Sequence, residues 1–493
     1  MSQCVGRVEH QCRPSVLRGA LLALPKTSAL AVRRTRYNQV VNSLASDTEE
    51  SVETLPLPDG AYGLPIIGET PEVISDRYGF VEKRIKRYGK VFKSNVYGLK
   101  MIFICDEDLI KKVVNADPPL IKSSFAKSAR EVLGKNSLPN INGERHRYLR
   151  RMIMGGFNSK AVESYVDPIT DLSAKMLEEW AKKDSVLFVQ EAKKFAFNVT
   201  NDCVVGLASE KYRSSESLAI FERLVEGFIS FGIDLPFTKF RQSLNARNEI
   251  LESIRERMEG IRSGDTGAVG DSKLLTRLTN ARDENGKGLE DAEIEDNIIL
   301  TLFAGYDTTA NVSFRCLNNL AKHPKVLEKA IKEQEDLVAN YGEEISSSVL
   351  GEMPYLEAVL KETIRLEPPG SAGFRTAVQT FELDGYKIPE GWHMFVHYLG
   401  AMRFNASETN WENIGTFDPE RFLKEASSQG AFMPFGVGLH SCLGNILAMV
   451  ELKILFSQLL RGYDFHVENP DAELTGFAFA EPEDEMPVKF SKK

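Results

Sequence analysis

The chain has 493 residues, of which 42% are hydrophobic and 27% are charged, a composition typical of globular proteins and unlike that of disordered or collagen-like chains. Sixty-one basic and 70 acidic residues give a formal net charge of −9, which argues against nucleic acid as the main partner because phosphate binding needs a basic surface. The six cysteines form no CxxC pair, so zinc-ribbon and thioredoxin-like sites are excluded.

The N-terminal segment 1–46 differs in composition from the rest of the chain. It contains seven basic residues and one acid, whereas acids begin abruptly at Asp47. An Arg-rich, acid-poor leader predicts an organelle transit peptide, plastid or mitochondrial, and the alternatives are a solvated tail and a cytoplasmic or peripheral membrane location. We therefore expect residues 1–54 to hold a transit peptide and linker, and residues 55–493 to fold. No window predicts a transmembrane helix, which takes about 20 apolar residues.

The predicted elements begin with an irregular entry segment at 55–70, since its prolines and glycines exclude helix and central strand. A helix follows near 72–88. Two β-prone runs, 91–97 and 101–105, flank Gly98 and predict a hairpin. Helical periodicity then covers most of 106–367, interrupted by predicted loops near 117–142, 206–216, 232–240 and 263–272.

A single helical pattern covers residues 291–322, and at about 1.5 Å per residue it would be nearly 50 Å long. The acids at its start suit a helix N-terminus. A second β region covers 377–398, with Asp384-Gly385 as a hairpin turn, and a final strand-rich region lies near 463–490. The order predicts a mainly α protein with small β-sheets, of the α+β class, in one large domain.

The most informative stretch is Phe435–Gly444, which reads Phe-Gly-Val-Gly-Leu-His-Ser-Cys-Leu-Gly. An apolar helical pattern follows it, so Cys442 lies on a glycine-rich loop just before a helix. A helix N-terminus favours a thiolate, and glycines let the backbone approach a flat partner closely. A lone thiolate ligand suits haem iron, whereas the alternative is a buried structural cysteine.

This loop resembles the signature of the cytochrome P450 family of haem-thiolate monooxygenases. The resemblance runs from about residue 55 to the C-terminus and implies that haem b lies between the long central helix and the helix after the cysteine loop. Four further motifs agree with it in the family's order: Gly143-Glu-Arg-His-Arg-Tyr-Leu-Arg150, Ala304-Gly-Tyr-Asp-Thr-Thr309, Lys361-Glu-Thr-Ile-Arg365 and Phe417-Asp-Pro-Glu-Arg-Phe422.

The resemblance implies roles for the central motifs. Cys442 would bind the iron, Thr308 would stabilise the activated oxygen, and Asp307 would help to relay protons. The stretch Ala304-Gly305 would leave room for O2. The alternative is a polar kink packed against other helices, because Thr hydroxyls bond back to carbonyls of the preceding turn.

Haem propionates need cationic or hydrogen-bonding partners, and the resemblance supplies candidates for them. His146 stands where the family usually has tryptophan, and imidazole can still donate a hydrogen bond. The sequence also departs from the family pattern at 400–405, where a Thr-His-x-Asp stretch is often found. The predicted haem contacts other than Cys442 and the Ala304-Gly305 groove are His146, Arg150, Arg375, Phe435 and His440.

Glu362 and Arg365 are spaced for one helix face, where an exposed pair contributes less than about 1 kcal/mol. The resemblance instead implies a buried network with Arg421 that holds the cysteine loop. Arg145, Arg147 and Arg151 form either a solvated basic face or a docking face for an acidic electron donor. The chain has no flavin or nicotinamide motif, so a separate ferredoxin or flavoprotein reductase would supply electrons.

The substrate class is suggested by a finer resemblance. Residues 373–392 resemble retinoic acid hydroxylases, and 57–70 and 235–247 resemble a wider clan that includes abscisic acid and brassinosteroid hydroxylases. The common substrate is an apolar isoprenoid (a retinoid, apocarotenoid or sterol), and such a substrate makes peripheral membrane contact plausible. Candidate pocket residues, each of which could equally be core, are Phe125, Phe228, Phe231, Phe237, Phe303, Phe477 and Phe479.

Two other functions fit a haem-thiolate chain. One is an isomerase or dehydratase of lipid hydroperoxides, which needs neither O2 nor a reductase. The other is a non-catalytic haem sensor. The presence of both Asp307 and Thr308 favours the monooxygenase, because O–O cleavage takes two protons and the other functions need no proton delivery.

Overall fold

The computed structural model describes residues 49–116, 119–207, 215–228, 230, 232–264, 273–404, 413–424, 432–476 and 479–493. The predicted leader 1–46 and the pocket candidates Phe231 and Phe477 lie outside these residues. Most of the predicted loops 206–216 and 263–272 lie outside them too.

Helices make up most of the described chain, as the periodicity predicts. A π-helical segment, Val199–Val205, continues one of them, and 3-10 turns lie at Leu138–Asn140, Pro419–Phe422 and Gly438–His440. The α-helices, numbered in chain order, are α1 Glu49–Glu53, α2 Thr70–Ser75, α3 Arg77–Tyr88, α4 Glu107–Asn115, α5 Lys127–Leu133, α6 Gly143–Met154, α7 Ser159–Glu163, α8 Val166–Trp180, α9 Phe188–Asn198, α10 Ser215–Phe228, α11 Lys239–Arg262, α12 Leu274–Asn280, α13 Asp291–Lys322, α14 Pro324–Tyr341, α15 Ser347–Gly351, α16 Pro354–Leu366, α17 Tyr398–Phe404 and α18 Asn445–Gly462.

The strands form small separate sheets. One has five strands in the order β1-β2-β8-β5-β3, another has the order β4-β12-β9, and β6-β7 and β10-β11 are two-stranded. In the five-stranded sheet β2 pairs with β8 in parallel, with Met101 opposite His393. The strands are β1 Val91–Val96, β2 Leu99–Ile104, β3 Ile121–Ser123, β4 Val186–Leu187, β5 Gly373–Ala377, β6 Phe381–Leu383, β7 Tyr386–Ile388, β8 His393–Val396, β9 Tyr463–Val467, β10 Leu474–Thr475, β11 Glu481–Pro482 and β12 Pro487–Lys492.

Both predicted hairpins are confirmed, and their turns show why. Tyr97 and Gly98 have φ values of 55° and 73°, and Asp384 and Gly385 have 54° and 77°. Two successive residues with positive φ match the type I′ turn that suits the twist of antiparallel strands. Glycine at the second position adopts this conformation without a steric penalty.

The predicted helix 291–322 is confirmed as α13, at the same bounds. Its central residues Ile298, Ile299 and Leu302 are buried in the largest hydrophobic cluster. The acids at its start suit the helix N-terminus, and each also forms an ion pair with an arginine of another helix. These pairs are Asp291–Arg262, Glu293–Arg145, Glu295–Arg255 and Asp296–Arg247.

Two predicted boundaries differ from the structure. The predicted helix 72–88 is divided into α2 and α3, and the side chain of Asp76 at the break accepts a hydrogen bond from the N–H of Gly79. The predicted loop 117–142 contains β3 and α5. Tertiary contacts stabilise α5, because Arg247 of α11 donates to the carbonyl of Val132 at 3.1 Å.

Helix α1 already belongs to the fold, ahead of residue 55. Val52 is buried, and Glu53 pairs with Lys387 of β7 at 3.1 Å. The entry segment after it is irregular, as predicted, and it lies against β1. A Cβ at Gly68 would lie 2.0 Å from the carbonyl oxygen of Asn95, so this close approach requires glycine. The division into a leader and a domain stays a prediction.

Candidate active site

The cysteine loop, Phe435–Gly444, is shaped by two glycines with positive φ, Gly436 at 68° and Gly438 at 75°. The N–H of Cys442 donates to the carbonyl of Phe435 at 2.8 Å, which closes the loop. The Cys442 side chain is exposed, although protein surrounds most of it. This surrounding protein raises the pKa of the thiol, while the N–H of Gly444 and the charge of Arg150 lower it.

Helix α18 begins directly after this loop, at Asn445. Gly444 precedes it, and a Cβ placed there would meet only the sulfur of Cys442, at 4.0 Å. The space beside the sulfur is therefore open on the side of Gly444. A flat group bound at the sulfur would fit against this glycine without a clash.

A cluster of cationic and imidazole side chains borders the loop. Arg150 of α6 donates to the hydroxyl of Ser441 at 3.0 Å, next to Cys442. His146, one turn earlier, is buried with its ring centroid 4.2 Å from that of His440. Arg375 of β5 is also buried, and its Nη1 donates to the carbonyl of Phe374 at 2.8 Å. The four predicted propionate partners therefore lie close together, since the charges of Arg150, Arg375 and His440 all act on His146.

Two buried nitrogens of this cluster, Nδ1 of His146 and Nε of Arg375, have no hydrogen-bond partner within the described part of the chain. Burial lowers the pKa of His146 to about 3, and the nearby His440 and arginines add to the effect, so the ring is neutral at pH 7. Buried polar groups without partners are rare in native proteins. These two nitrogens and the charge of Arg150 fit the carboxylates of a haem, and the accessible sulfur of Cys442 fits its iron.

The predicted structural residues form one buried network. Glu362 of α16 accepts from Nε and Nη2 of Arg365 at 2.6 and 2.8 Å, and from Nε of Arg421 at 2.8 Å. It also accepts from the N–H of Asp418 at 2.9 Å. All three charged side chains are at most 4% exposed. Phe422 next to Arg421 packs on Phe432, which leads into the cysteine loop.

The centre of α13 has one accessible side. Ala304 is exposed and Thr308 is half-buried, and the hydroxyl of Thr308 donates to the carbonyl of Ala304 at 2.6 Å. The next residue, Thr309, donates to Glu451 of α18 at 2.7 Å, so this stretch lies against the helix that follows Cys442. The stretch Ala304–Thr309 therefore packs against α18, the helix that begins directly after the cysteine loop.

Gly305 is needed for close packing, whereas its part in leaving room for O2 stays a prediction. A Cβ at Gly305 would lie 2.4 Å from Oγ1 of Thr200, in the π-helical segment. Thr200 in turn donates to the carbonyl of Ala196 at 2.9 Å. Glycine lets α13 and this segment cross closely, a reason that the sequence pattern does not show.

Asp307, one residue before Thr308 on α13, is buried. Its Oδ1 is 4.0 Å from Nζ of Lys193 of α9, which pairs with Glu481 of β11 at 2.7 Å. Burial raises the pKa of Asp307 to about 6; Lys193 opposes this rise, and Glu481 and Glu222 add to it. Asp307 can therefore hold or release a proton near neutral pH.

Sequence reasoning missed Lys193, Glu481 and Glu451. Burial raises the pKa of Glu451 to about 8, with Thr309 opposing, so this carboxyl is mostly protonated at pH 7. A signal existed for Glu451, because an acid inside the apolar helix α18 has no solvent face to explain it. Lys193 and Glu481 carry no such signal, since each looks like an ordinary surface charge.

Four aromatic rings form a continuous row from α13 outward. Phe303, next to Ala304, is 4.4 Å from Phe228 of α10 between ring centroids. Phe228 is 6.4 Å from Phe125, which is 6.2 Å from Phe374 of β5. The structure thus joins three of the predicted pocket residues and adds Phe374.

The other two described candidates do not join the row. Phe237 is 77% exposed, so it lies on the outer surface and the prediction that it lines the pocket is wrong. Phe479 is half-buried near the C-terminus, and the structure shows no ring contact for it within the described residues.

Two of the three arginines on the basic face of α6 form ion pairs within the protein. Arg145 pairs with Glu293 of α13, and Arg147 pairs with Glu144. Arg151 is exposed and forms no ion pair within the described ranges. No helix in the described part of the chain is long and apolar enough to span a bilayer.

Comparison with known proteins agrees with this site. The family described as Cytochrome P450 matches residues 58–490. Cytochrome P450 26B1 of Mus musculus is 31% identical over 458 residues, covering 88% of this chain and 87% of that protein. The Danio rerio protein of the same name is 32% identical over 448 residues, with the same coverage.

A solved structure described as retinoic acid bound cyanobacterial CYP120A1 has a TM-score of 0.79 and 29% sequence identity. It covers 89% of this chain, and all of that chain is matched. The family match spans the cysteine loop, the centre of α13 and the Glu362 network. The chain therefore belongs to the cytochrome P450 family of haem-thiolate monooxygenases.

Proposed function

We propose that this cytochrome P450 inserts one oxygen atom of O2 into a C–H bond of an apolar isoprenoid, and that haem b is its cofactor. The proposed substrate class rests on the aromatic row Phe303, Phe228, Phe125 and Phe374. This row begins next to Ala304, on the accessible side of α13. A mostly aromatic wall with few polar groups suits a conjugated or polycyclic hydrocarbon.

Each residue of the site has a proposed part in the reaction. Cys442 would supply the thiolate ligand, and haem bound there supplies the iron at which O2 is activated, with thiolate ligation favouring O–O cleavage. His146, Arg150, Arg375 and His440 would hold the propionates, and Phe435 would pack on the macrocycle.

Proton handling falls to the two polar residues of α13. The hydroxyl of Thr308 donates to the carbonyl of Ala304, and rotation away from this carbonyl would let it donate toward the bound haem. Asp307, the preceding residue, would take protons from solvent and pass them toward Thr308. The carboxyl pKa of about 6 suits this relay, because both protonation states are populated near neutral pH.

Monooxygenation also takes two electrons, which a separate protein supplies in this family. We propose a ferredoxin or a flavoprotein reductase as the donor. The exposed Arg151 would contribute to its docking face, whereas Arg145 is held by Glu293. An organelle location, plastid or mitochondrion, remains a proposal that rests on the composition of the leader 1–46.

The retinoid subclass is supported by similarity to a protein whose structure holds retinoic acid. The test is a spectral titration of the purified protein with retinoic acid, an apocarotenoid and a sterol. We expect one class to shift the haem from low to high spin at micromolar concentration. Phe303→Ala should weaken this binding about tenfold, because it removes a central ring of the row.

Tyr341→Ala is the matched control, since this aromatic side chain is 56% exposed at the end of α14 and should leave binding unchanged. Two outcomes would contradict the proposed substrate class. In one, none of the three compounds shifts the spectrum of a fully haem-loaded protein. In the other, Phe303→Ala binds as tightly as the wild type.

We also propose peripheral contact with a lipid surface. Two described segments expose apolar side chains, the entry segment with Ile66 at 86% exposure and the 233–237 loop with Phe237 at 77%. Single exposed apolar residues are common, but clusters favour an interface. An apolar substrate that partitions into lipid makes the bilayer surface the fitting partner.

The measurement is flotation with phosphatidylcholine vesicles. The wild type should float with the vesicles, and the Ile66→Asp/Phe237→Asp variant should bind severalfold less, since each aspartate removes apolar contact and adds a charge. Tyr341→Asp controls for a new charge elsewhere on the surface. Equal flotation of the three proteins, or flotation of none, would contradict the lipid contact.

A further inference from the structure

We propose that Glu481, on the C-terminal strand β11, is a positioning residue for proton delivery, because it shares Lys193 with Asp307 and keeps this lysine from locking Asp307 into an ion pair. The inference rests on the proposed relay role of Asp307. It adds a residue from a distant part of the chain, 174 positions after Asp307.

The geometry of the shared lysine carries the inference. Nζ of Lys193 is 2.7 Å from Oε1 of Glu481 but 4.0 Å from Oδ1 of Asp307. The lysine therefore makes a full hydrogen-bonded pair with Glu481 and only a long contact with Asp307. A carboxylate in a tight buried ion pair gives up its charge reluctantly, so a longer contact keeps Asp307 available as a proton carrier.

The exposed fraction of the side chain falls from Glu481 through Lys193 to Asp307. The side chains of Glu481 and Lys193 are 26% and 22% exposed, and that of Asp307 is 7% exposed. Solvent therefore reaches the first two groups and barely reaches the third. This gradient gives protons an entry from the outer surface to Asp307 of α13.

Strand β11 is held in place by α13 itself. The carbonyl of Ala480, which precedes Glu481, accepts from Nδ2 of Asn311 at 3.3 Å and from Nη2 of Arg315 at 3.0 Å. These bonds fix the backbone at Glu481 against the helix that carries Asp307. The carboxylate is thus placed by the fold rather than by a mobile loop.

The charged groups that act on Asp307 are Lys193, Glu481 and Glu222, and those nearby have partners of their own. Glu222 of α10 accepts from the hydroxyl of Tyr306 at 3.0 Å, and Arg315 of α13 pairs with Glu367. Glu222 and Glu481 both raise the pKa of Asp307, while Lys193 lowers it. Among these groups, only Lys193 contacts both Asp307 and a second carboxylate, so it is the group that Glu481 can control.

The test measures the pKa of Asp307 directly in the haem-loaded protein. The infrared band of the protonated carboxyl, assigned by its loss in Asp307→Asn, is titrated with pH. In Glu481→Gln we expect the midpoint to fall by about one unit, because a nearby negative charge is lost and Lys193 is released toward Asp307. In Glu481→Gln/Lys193→Met the midpoint should rise again, since the cation is gone.

A second readout is coupling, the product formed per pair of electrons supplied by a ferredoxin and its reductase. At pH 7 we expect Glu481→Gln to lower coupling about threefold, with hydrogen peroxide released instead, because protons arrive more slowly. Thr308→Val removes the hydroxyl that is proposed to deliver protons, so its coupling is the value expected when proton delivery fails completely. Glu483→Gln removes an exposed carboxylate two residues away and should change neither readout.

The outcomes distinguish the positioning role of Glu481 from the relay role of Asp307. If Glu481→Gln leaves the midpoint of Asp307 unchanged, the shared-lysine geometry is wrong. If the midpoint falls but coupling equals that of the wild type, the positioning role is wrong. If Asp307→Asn itself couples normally, the relay role of Asp307 fails, and the positioning role fails with it, whereas the midpoint shift in Glu481→Gln would still verify the contacts.

Discussion

The Cys442→Ala variant should fold and yet lose the thiolate-type Soret band that the reduced wild type shows with carbon monoxide. The variant keeps the backbone bond from residue 442 to the carbonyl of Phe435, which closes the loop. Cys442 belongs to none of the hydrophobic clusters of the described residues, so its truncation opens no core cavity and should itself cost less than about 1 kcal/mol of unfolding free energy. Without the thiolate the activity should fall to background.

The measurement is the carbon monoxide difference spectrum together with the thermal unfolding midpoint. Cys105→Ala is the matched control, since Cys105 is fully buried in another hydrophobic cluster. This control should lose some thermal stability because a core side chain is truncated, but it should keep the thiolate-type band. A thiolate-type band in Cys442→Ala would show that another residue binds the iron.

The sequence predicted those parts of the fold that depend on local chemistry. The turns at Gly98 and Gly385 follow from residues that accept positive φ, and the start of α13 follows from its acidic residues. The parallel pairing of β2 with β8 joins residues almost 300 positions apart, and no local pattern indicates it. Helix α5 was missed for a similar reason, because its stability comes from α10 and α11.

The residues of the site likewise divide into those that the local sequence predicts and those that only tertiary packing reveals. Cys442 and Thr308 lie in motifs whose spacing is itself the signal. The sequence could not show that Asp307 lies close to Lys193 and, through it, to Glu481, because that arrangement depends on how α9 and β11 pack on α13. Such groups become recognisable only when burial and distance are known.

The Glu362→Ala variant should fail to retain haem, although Glu362 does not touch the site. Its carboxylate is fully buried and accepts from Arg365, Arg421 and the N–H of Asp418. Truncation leaves two buried guanidinium groups without their shared acceptor, which we expect to cost about 3–5 kcal/mol. Arg421 and the 3-10 turn Pro419–Phe422 would then lose their anchor, and the cysteine loop beyond Phe432 would lose its support.

Haem content per chain and the urea unfolding midpoint measure this effect. Glu362→Gln keeps the shape of the side chain and one acceptor oxygen, so it should retain more haem than Glu362→Ala. The neighbouring Lys361→Ala serves as the control, since it breaks a surface pair with Glu357 that is expected to contribute less than about 1 kcal/mol. If Glu362→Ala carries as much haem as Lys361→Ala and unfolds at the same urea concentration, then the cysteine loop is held by its own backbone bonds and by α18. The buried network would in that case stabilise only the segment around Thr416 and Asp418.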